Sequence, residues 1–260
     1  MCETLGHVID LERYPLHSSD FLAACKQSLD SEGVLLLRGF LRPDAVESVR
    51  LEGAANHHLA YYTANSHNIY LSPPDPVYPA SHPRNREVNS SKGCLTTDQI
   101  PDRSPLRVLY DASEFRDFLC AVLGEEALHE YADVLSSINL NFANDKQELG
   151  WHFDNSSFAI TLMIQEPIKG GVFEYVKDVR DADRGEMKFE QAERILDGQI
   201  PPKTLSMDAG ALVLFRGRNS MHRVTPVKGS VARILVVLAY NSAPGLSLSE
   251  SARMTFFGRH

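Results

Sequence analysis

Ser137-Ile138-Asn139-Leu140-Asn141-Phe142 alternates polar and apolar side chains, the period of an extended strand with one covered face. Downstream, Phe158-Ala159-Ile160-Thr161-Leu162-Met163-Ile164 is rich in β-branched and aromatic residues, and Gly170-Gly171 introduces Val172-Phe173-Glu174-Tyr175-Val176. The same texture returns at Leu205, at Ala211-Leu212-Val213-Leu214-Phe215 and from Ala232 to Tyr240. Many short strands separated by turn residues predict an α+β chain with a jelly-roll or double-stranded β-helix core over 136–245. The charged stretch from Asp178 to Gly198 reads as an inserted surface helix, with Phe189, Ala192, Ile195 and Leu196 turned inward.

Upstream of that core the periodicity is helical. After Ser18-Ser19-Asp20, the apolar residues Phe21, Leu22, Cys25 and Leu29 recur at helical spacing until Gly33, and Val34-Leu35-Leu36-Leu37 reads as a buried strand. Pro43-Asp44 opens a second helix with Val46, Val49 and Ala54 inward, running to an exposed end at His57-His58. A third, with Asp111 as cap and Glu114 reaching back, carries the stripe Phe115, Phe118, Leu119, Val122 and Leu123 and stops at Gly124. Between them, 72–106 holds seven of the fourteen prolines and is expected to be one long loop, a binding wall or lid. The expected plan is one domain over 1–260: a helical flank at 1–135, the jelly roll at 136–245 and a tail at 246–260.

At 260 residues, 43% hydrophobic and 23% charged, the chain can bury one substantial core. Its net charge of -8 argues against nucleic acid or an anionic membrane as partner, since both require a basic face. Cys2, Cys25, Cys94 and Cys120 form no CxxC pair and read as reduced thiols, and no apolar run is long enough to span a membrane or serve as a secretion signal. A cytoplasmic protein acting on a small molecule is the expectation, and nothing in the composition argues against a homodimer.

The chemistry concentrates in Gly150-Trp151-His152-Phe153-Asp154 and Met221-His222-Arg223-Val224-Thr225-Pro226. On an extended segment His152 and Asp154 project to the same side, so both reach one ion. Adding His222 from another strand makes a two-His-one-carboxylate triad, which holds Fe(II) and leaves positions open for a cosubstrate and O2. The competing reading of the HxD pair is a surface ion pair, and of His222 a core histidine. Arg233 opens the apolar run Ile234-Leu235-Val236-Val237-Leu238, where a guanidinium needs a partner. A dicarboxylate between metal and arginine would supply one, and Glu166 and Glu174 are the competing partners.

These segments together, WHFD, GGVFEYV, FRGRNSMHRVTPV and RILVVLAYN, resemble the Fe(II)/2-oxoglutarate-dependent oxygenase superfamily over 137–245. The proline-rich segment and the helix at 111–123 extend the likeness to the branch of free amino acid hydroxylases and lysine halogenases. The resemblance implies His152, Asp154 and His222 as iron ligands and Arg233 as the grip on the distal carboxylate of 2-oxoglutarate, with succinate and CO2 released. It also implies hydroxylation rather than halogenation, because halogenases of this type carry a small residue where Asp154 stands. Desaturation and ring closure remain open, as does a metal-binding jelly roll that senses a ligand without turnover.

Asn139 and Asn141 alternate on the strand before the HxD turn and can meet cosubstrate or substrate, or merely sit at a ladder edge. His67, Arg84, Arg86 and Lys92 place donors in and beside the long loop, suited to a carboxylated, amino-acid-like substrate or to a solvated basic stretch. Trp151 and Asn155 flank the HxD pair and complete the candidate substrate contacts. Lysine-acting relatives are expected to carry acidic and histidine residues just before the HxD motif. Here that stretch reads Leu149-Gly150-Trp151, with Glu148 and Asp145 a little upstream and Asn155 just after, a departure that puts lysine itself in doubt.

Overall fold

The computed structural model describes residues 4–260. Strands β1 (Val34–Leu37), β2 (Tyr61–Asn68), β3 (Glu87–Leu95), β4 (Ile138–Ala143), β5 (Leu149–His152) and β6 (Ala159–Gln165) are followed by β7 (Phe173–Val176), β8 (Lys203–Leu205), β9 (Leu212–Phe215), β10 (Met221–Val224) and β11 (Arg233–Leu238). Helices are α1 (Leu5–Val8), α2 (Ser19–Glu32), α3 (Pro43–Asn56), α4 (Pro105–Asp111), α5 (Ser113–Leu123), α6 (Phe189–Leu196) and α7 (Glu250–Phe257).

All eleven strands form one antiparallel sheet in the order β1-β9-β6-β11-β4-β3-β5-β10-β7-β8, with β2 paired to β3. The sheet curls on itself. Phe215 near one end of that order packs on Phe173 and His222 near the other, with ring centroids 5.1 and 4.8 Å apart. A curled antiparallel sheet flanked by N-terminal helices is the expected jelly-roll arrangement.

Alternation decides which residues enter each layer. On β4 and β11, Ile138, Leu140 and Phe142 with Ile234, Val236 and Leu238 join the main core, against residues of α2, α3, α4 and α5. The intervening positions, Asn139, Asn141, Arg233, Leu235 and Val237, share the opposite face and look into the curl. A second cluster covers the outside of β5 and β10, where Trp151, Phe153 and Met221 meet Ala192 and Ile195 of α6.

Several helix expectations hold in detail. Ser18 caps α2 by accepting from Phe21 N, Gly33 ends it at φ 73°, and Gly124 ends α5 at φ 79° beyond a fully buried stripe. Others are corrected. In α3 the inward residue is Gly53, whose absent side chain admits Leu140, while Ala54 is exposed. Asp111 does not cap α5; it ends α4, the seven-residue helix that Ser104 and Pro105 start about two turns earlier. The charged insertion is helical only over α6, and the tail contains α7, anchored by buried Phe257.

The proline-rich stretch is not a single loop. Its first five prolines lie before Glu87, and the proline-free run Glu87–Leu95 forms β3. This strand pairs with β2 along its length, with β4 through Gly93–Leu95 and with β5 through Ser90, so it joins the two halves of the curl. Polar β2 and β3 lack the apolar alternation that marks a strand in sequence. Cys25, Cys94 and Cys120 are free thiols, while Cys2 lies outside the described residues. Among the described residues no helix is long and apolar enough to cross a membrane.

Candidate metal centre

In the pairing of β5 with β10, His152 stands opposite His222. Directly paired residues share a face, and the two rings lie 4.2 Å apart by centroid. Asp154 follows β5 and turns its carboxylate between them: its Oδ1 is 3.7 Å from His152 Nε2 and 3.5 Å from His222 Nε2. Backbone carbonyls set both tautomers. His152 Nδ1 donates to Gly150 O at 2.8 Å and His222 Nδ1 to Ser220 O at 3.0 Å, which leaves each Nε2 lone pair facing the carboxylate.

Burial, and then the neighbouring His222, hold the His152 imidazole far below its ordinary value, at about 3, so it is neutral at physiological pH. Burial alone would raise Asp154, but the attraction of His222, followed by His152 and Arg180, outweighs it and keeps the carboxyl ionised. Two imidazoles and one carboxylate, with ligand atoms within 4.8 Å of one another, are a donor set that fits Fe(II). Asp154 Oδ2 is buried without a hydrogen-bond partner, an acceptor that a cation would satisfy.

Two neighbours shape this arrangement without signalling it in sequence. A Cβ at Gly217 would lie 1.8 Å from Asp154 Oδ2, so only glycine lets the carboxylate occupy its place. The Gly217 carbonyl also accepts from Asp154 N at 3.1 Å. Arg180 spans the two turns: its Nε donates to Arg218 O at 2.8 Å, its Nη2 to Asp154 O at 3.4 Å, and its guanidinium covers the Phe153 ring at 4.2 Å. Gly217 reads in sequence only as a turn, and Arg180 only as part of a charged insertion.

Arg233 is 6% exposed and makes no hydrogen bond or ion pair among the described residues, and its Nε is a buried orphan. Burial pushes its pKa down to about 10, which leaves it charged at neutral pH. Neither competing carboxylate reaches it. Glu174 binds Arg223 at 2.6 Å, and Glu166 accepts from Ala209 N at 3.1 Å. On the same inward face, Asn139 commits its amide to the Leu135 and Ile138 carbonyls, while Asn141 donates to Asn139 O and keeps Oδ1 buried and unpartnered.

The remaining candidates divide. His67, on β2, lies 6.2 Å from His152 by ring centroid, and its Nε2 accepts from Ser90 Oγ at 2.6 Å. Ser90 Oγ in turn accepts from Gly150 N at 3.0 Å, linking His67 to the carbonyl that orients His152. Lys92 shares the face of Ser90 and Cys94 on β3, half-buried, and makes no hydrogen bond or ion pair among the described residues.

Trp151, Arg84 and Arg86 do not join the site. Trp151 points to the outer face, under the Arg223 guanidinium at 4.8 Å, because strand alternation that aims His152 inward aims its neighbour outward. Arg84 holds Pro73 O at 3.1 Å and lies over Tyr70, while Arg86 pairs with Asp197, so both tie the proline-rich segment to the α6 side. Asn155 is exposed just beyond Asp154, its carbonyl held by Arg218 at 2.9 Å.

Solved structures with similar folds include a 2OG-Fe(II) oxygenase family oxidoreductase from Burkholderia pseudomallei, at 12% identity and TM-score 0.57 over 87% of this chain and 93% of that one. The epimerase SnoN from nogalamycin biosynthesis matches at 12% and 0.59 over 86% and 84% of the two chains. A Pseudomonas putida prolyl-4-hydroxylase matches at 14% and 0.51 over 83% and 96%. No curated protein matches the sequence. A family model described as HalD, Halogenase D, matches residues 17–255. By that match the chain belongs to the Halogenase D family, and it has the fold of the 2-oxoglutarate/Fe(II) oxygenases.

Proposed function

We propose that the protein is an Fe(II)/2-oxoglutarate-dependent dioxygenase that hydroxylates an unactivated C–H bond of a small polar substrate, a free amino acid or a derivative. The observation that carries this reading is the Asp154 carboxylate, ionised and within reach of both Nε2 atoms. In this reading His152, Asp154 and His222 hold iron on one face, and Arg233 pairs with the distal carboxylate of 2-oxoglutarate, with Asn139 and Asn141 on the same wall. The bound iron supplies the oxidising chemistry: substrate R–H, 2-oxoglutarate and O2 give R–OH, succinate and CO2.

The chain's own contribution is arrangement. Ser220 and Gly150 carbonyls orient the imidazoles, Gly217 makes room for the carboxylate, and the apolar rings of Phe173 and Phe215 shield His222. A dry wall on that side keeps water from competing for the open positions.

The family's description favours halogenation as a second reading, and Asp154 opposes it by occupying the place a halide would need. Incubation with Fe(II), 2-oxoglutarate and O2 should release succinate slowly even without substrate, and a matched amino acid should gain one oxygen. Chlorinated product in the presence of chloride would favour the second reading. Absence of succinate across a broad amino acid panel would overturn the first.

A further inference from the structure

β5 carries His152 on a strand that its neighbours hold by few bonds. Where it pairs with β10, His152 stands opposite His222 and Leu149 opposite Val224, so Arg223 alone faces both Gly150 and Trp151. One residue against two is a β-bulge, and a bulge leaves backbone groups without their ladder partner. On its other side β5 meets β3 only at the pair Ser90 and Leu149, with one further bond from Ser91 N to Glu148 O at 2.8 Å. The ladders alone do not fix a metal ligand placed on such a segment.

Side chains supply what the ladders lack. Gly150 N donates to Ser90 Oγ at 3.0 Å, and Gly150 O accepts from His152 Nδ1 at 2.8 Å, so both backbone groups of this residue are engaged. The Ser90 hydroxyl is itself aimed. His67 Nδ1 lies 3.0 Å from Asn68 O, which can only accept, so the ring proton sits on Nδ1 and Nε2 is left to accept from Ser90 Oγ at 2.6 Å. The hydroxyl proton therefore points at His67, and the oxygen lone pairs face Gly150 N. β3 passes so close that a Cβ at Gly150 would lie 2.5 Å from Asn89 O, which keeps serine and amide within reach. The His67 ring also stands edge-on to His152, at 6.2 Å and 86°, and so backs the ligand it helps to aim.

Resting on the dioxygenase reading above, we infer that Ser90 and His67 are positioning residues for the metal ligand His152. They hold Gly150 where its carbonyl receives the Nδ1 proton, and through it they hold Nε2 toward the Asp154 carboxylate and the iron. His67 has both nitrogens committed within the chain, so its place beside the triad serves the metal and not the substrate.

The test compares Ser90→Ala, Ser90→Thr, His67→Phe and His67→Gln with the native protein. The readouts are calorimetric affinity for Co(II), the visible spectrum of the Co(II) form, and the imidazole nitrogen resonances of the metal-free protein. Ser90→Ala should weaken Co(II) by about tenfold or more, alter the spectrum and release His152 from its single Nδ1–H tautomer into a mixture. Ser90→Thr keeps the hydroxyl and should restore all three. His67→Phe should fall between, since it keeps the ring and loses the acceptor, and His67→Gln should recover most of the loss because its amide oxygen accepts from Ser90. Asn65→Ala, at an exposed position opposite Ser90, should change none of them. A merely structural role would lower the melting temperature without moving tautomer or spectrum. Native affinity and spectrum in Ser90→Ala, a Ser90→Thr protein as weak as Ser90→Ala, or a single His152 tautomer in Ser90→Ala would overturn the inference. If Ser90→Ala does not fold, His67→Phe against His67→Gln decides by the same readouts. If the native protein binds neither Co(II) nor Fe(II), the dioxygenase reading falls, and the His152 tautomer in the metal-free proteins still decides on the positioning.

Discussion

Arg223 on β10 and Arg233 on β11 belong to opposite faces of the same curled sheet. Arg223 donates to Glu174 Oε2 at 2.6 Å and lies 4.8 Å over the Trp151 ring. Arg233 is more deeply buried and has neither anion nor ring. Arg223 is paired within the free protein, whereas the inner face holds a guanidinium, a carboxylate oxygen and an amide oxygen without a partner among the described residues. Burying such groups unpaired is expensive, and a metal ion and a carboxylate bound on that face would answer the first two.

The largest effect expected from this asymmetry is at the triad. His152→Ala with Asp154→Ala should abolish Fe(II) binding in equilibrium dialysis. Retained iron affinity would break the assignment. Gly217→Ala leaves every ligand in place yet drives a methyl into Asp154 Oδ2, and is expected to weaken iron binding at least tenfold. Unchanged binding would mean that Asp154 turns its carboxylate elsewhere.

The sequence carries the triad well because its logic is local: one HxD on an extended run, one histidine after a glycine turn, and period-two alternation. Arg233 is legible for the same reason, as the one charge at the head of an apolar strand. Trp151 is misread through neighbourhood, since adjacency along a strand means opposite faces. Arg84 and Arg86 are misread because donors in a loop say nothing of which wall the loop lies against. β2 and β3 escape notice because both faces are polar, and Gly217 because the demand for a missing side chain comes from a residue distant in sequence.

Arg233→Ala separates the cosubstrate from the metal. Loss of a buried charge-assisted pair should raise the 2-oxoglutarate requirement about a hundredfold while Fe(II) affinity stays within about twofold. Parallel loss of both would show Arg233 acting on the triad instead.

Acid should expose the same inner face. The His152 value of about 3 in the fold lies below the ordinary 6.5, so as pH falls the unfolded chain takes up the proton first. Stability of the metal-free protein is therefore full above 6.5 and drains away toward about 3, and the lowered Asp154 adds its own loss further into acid. Urea midpoints between about pH 7 and pH 4 should fall more steeply in the native protein than in His152→Gln. Equal slopes would remove His152 as the source.

The smallest effect is expected on the outer face, where Arg223→Ala removes a satisfied charge. The side chain is 38% exposed, so solvent screens its bond to Glu174, and most of what remains is its contact with Trp151. A stability loss of about 1 kcal/mol follows, read as a lower urea midpoint with unchanged slope. The 2-oxoglutarate requirement should not move, since Arg223 and the inward histidines lie on opposite sides of β10. A shift in that requirement comparable to that of Arg233→Ala would mean that the two faces communicate through the strand, and that the outer pair, though complete in itself, sets the position of His222 rather than only holding α6 and the sheet together.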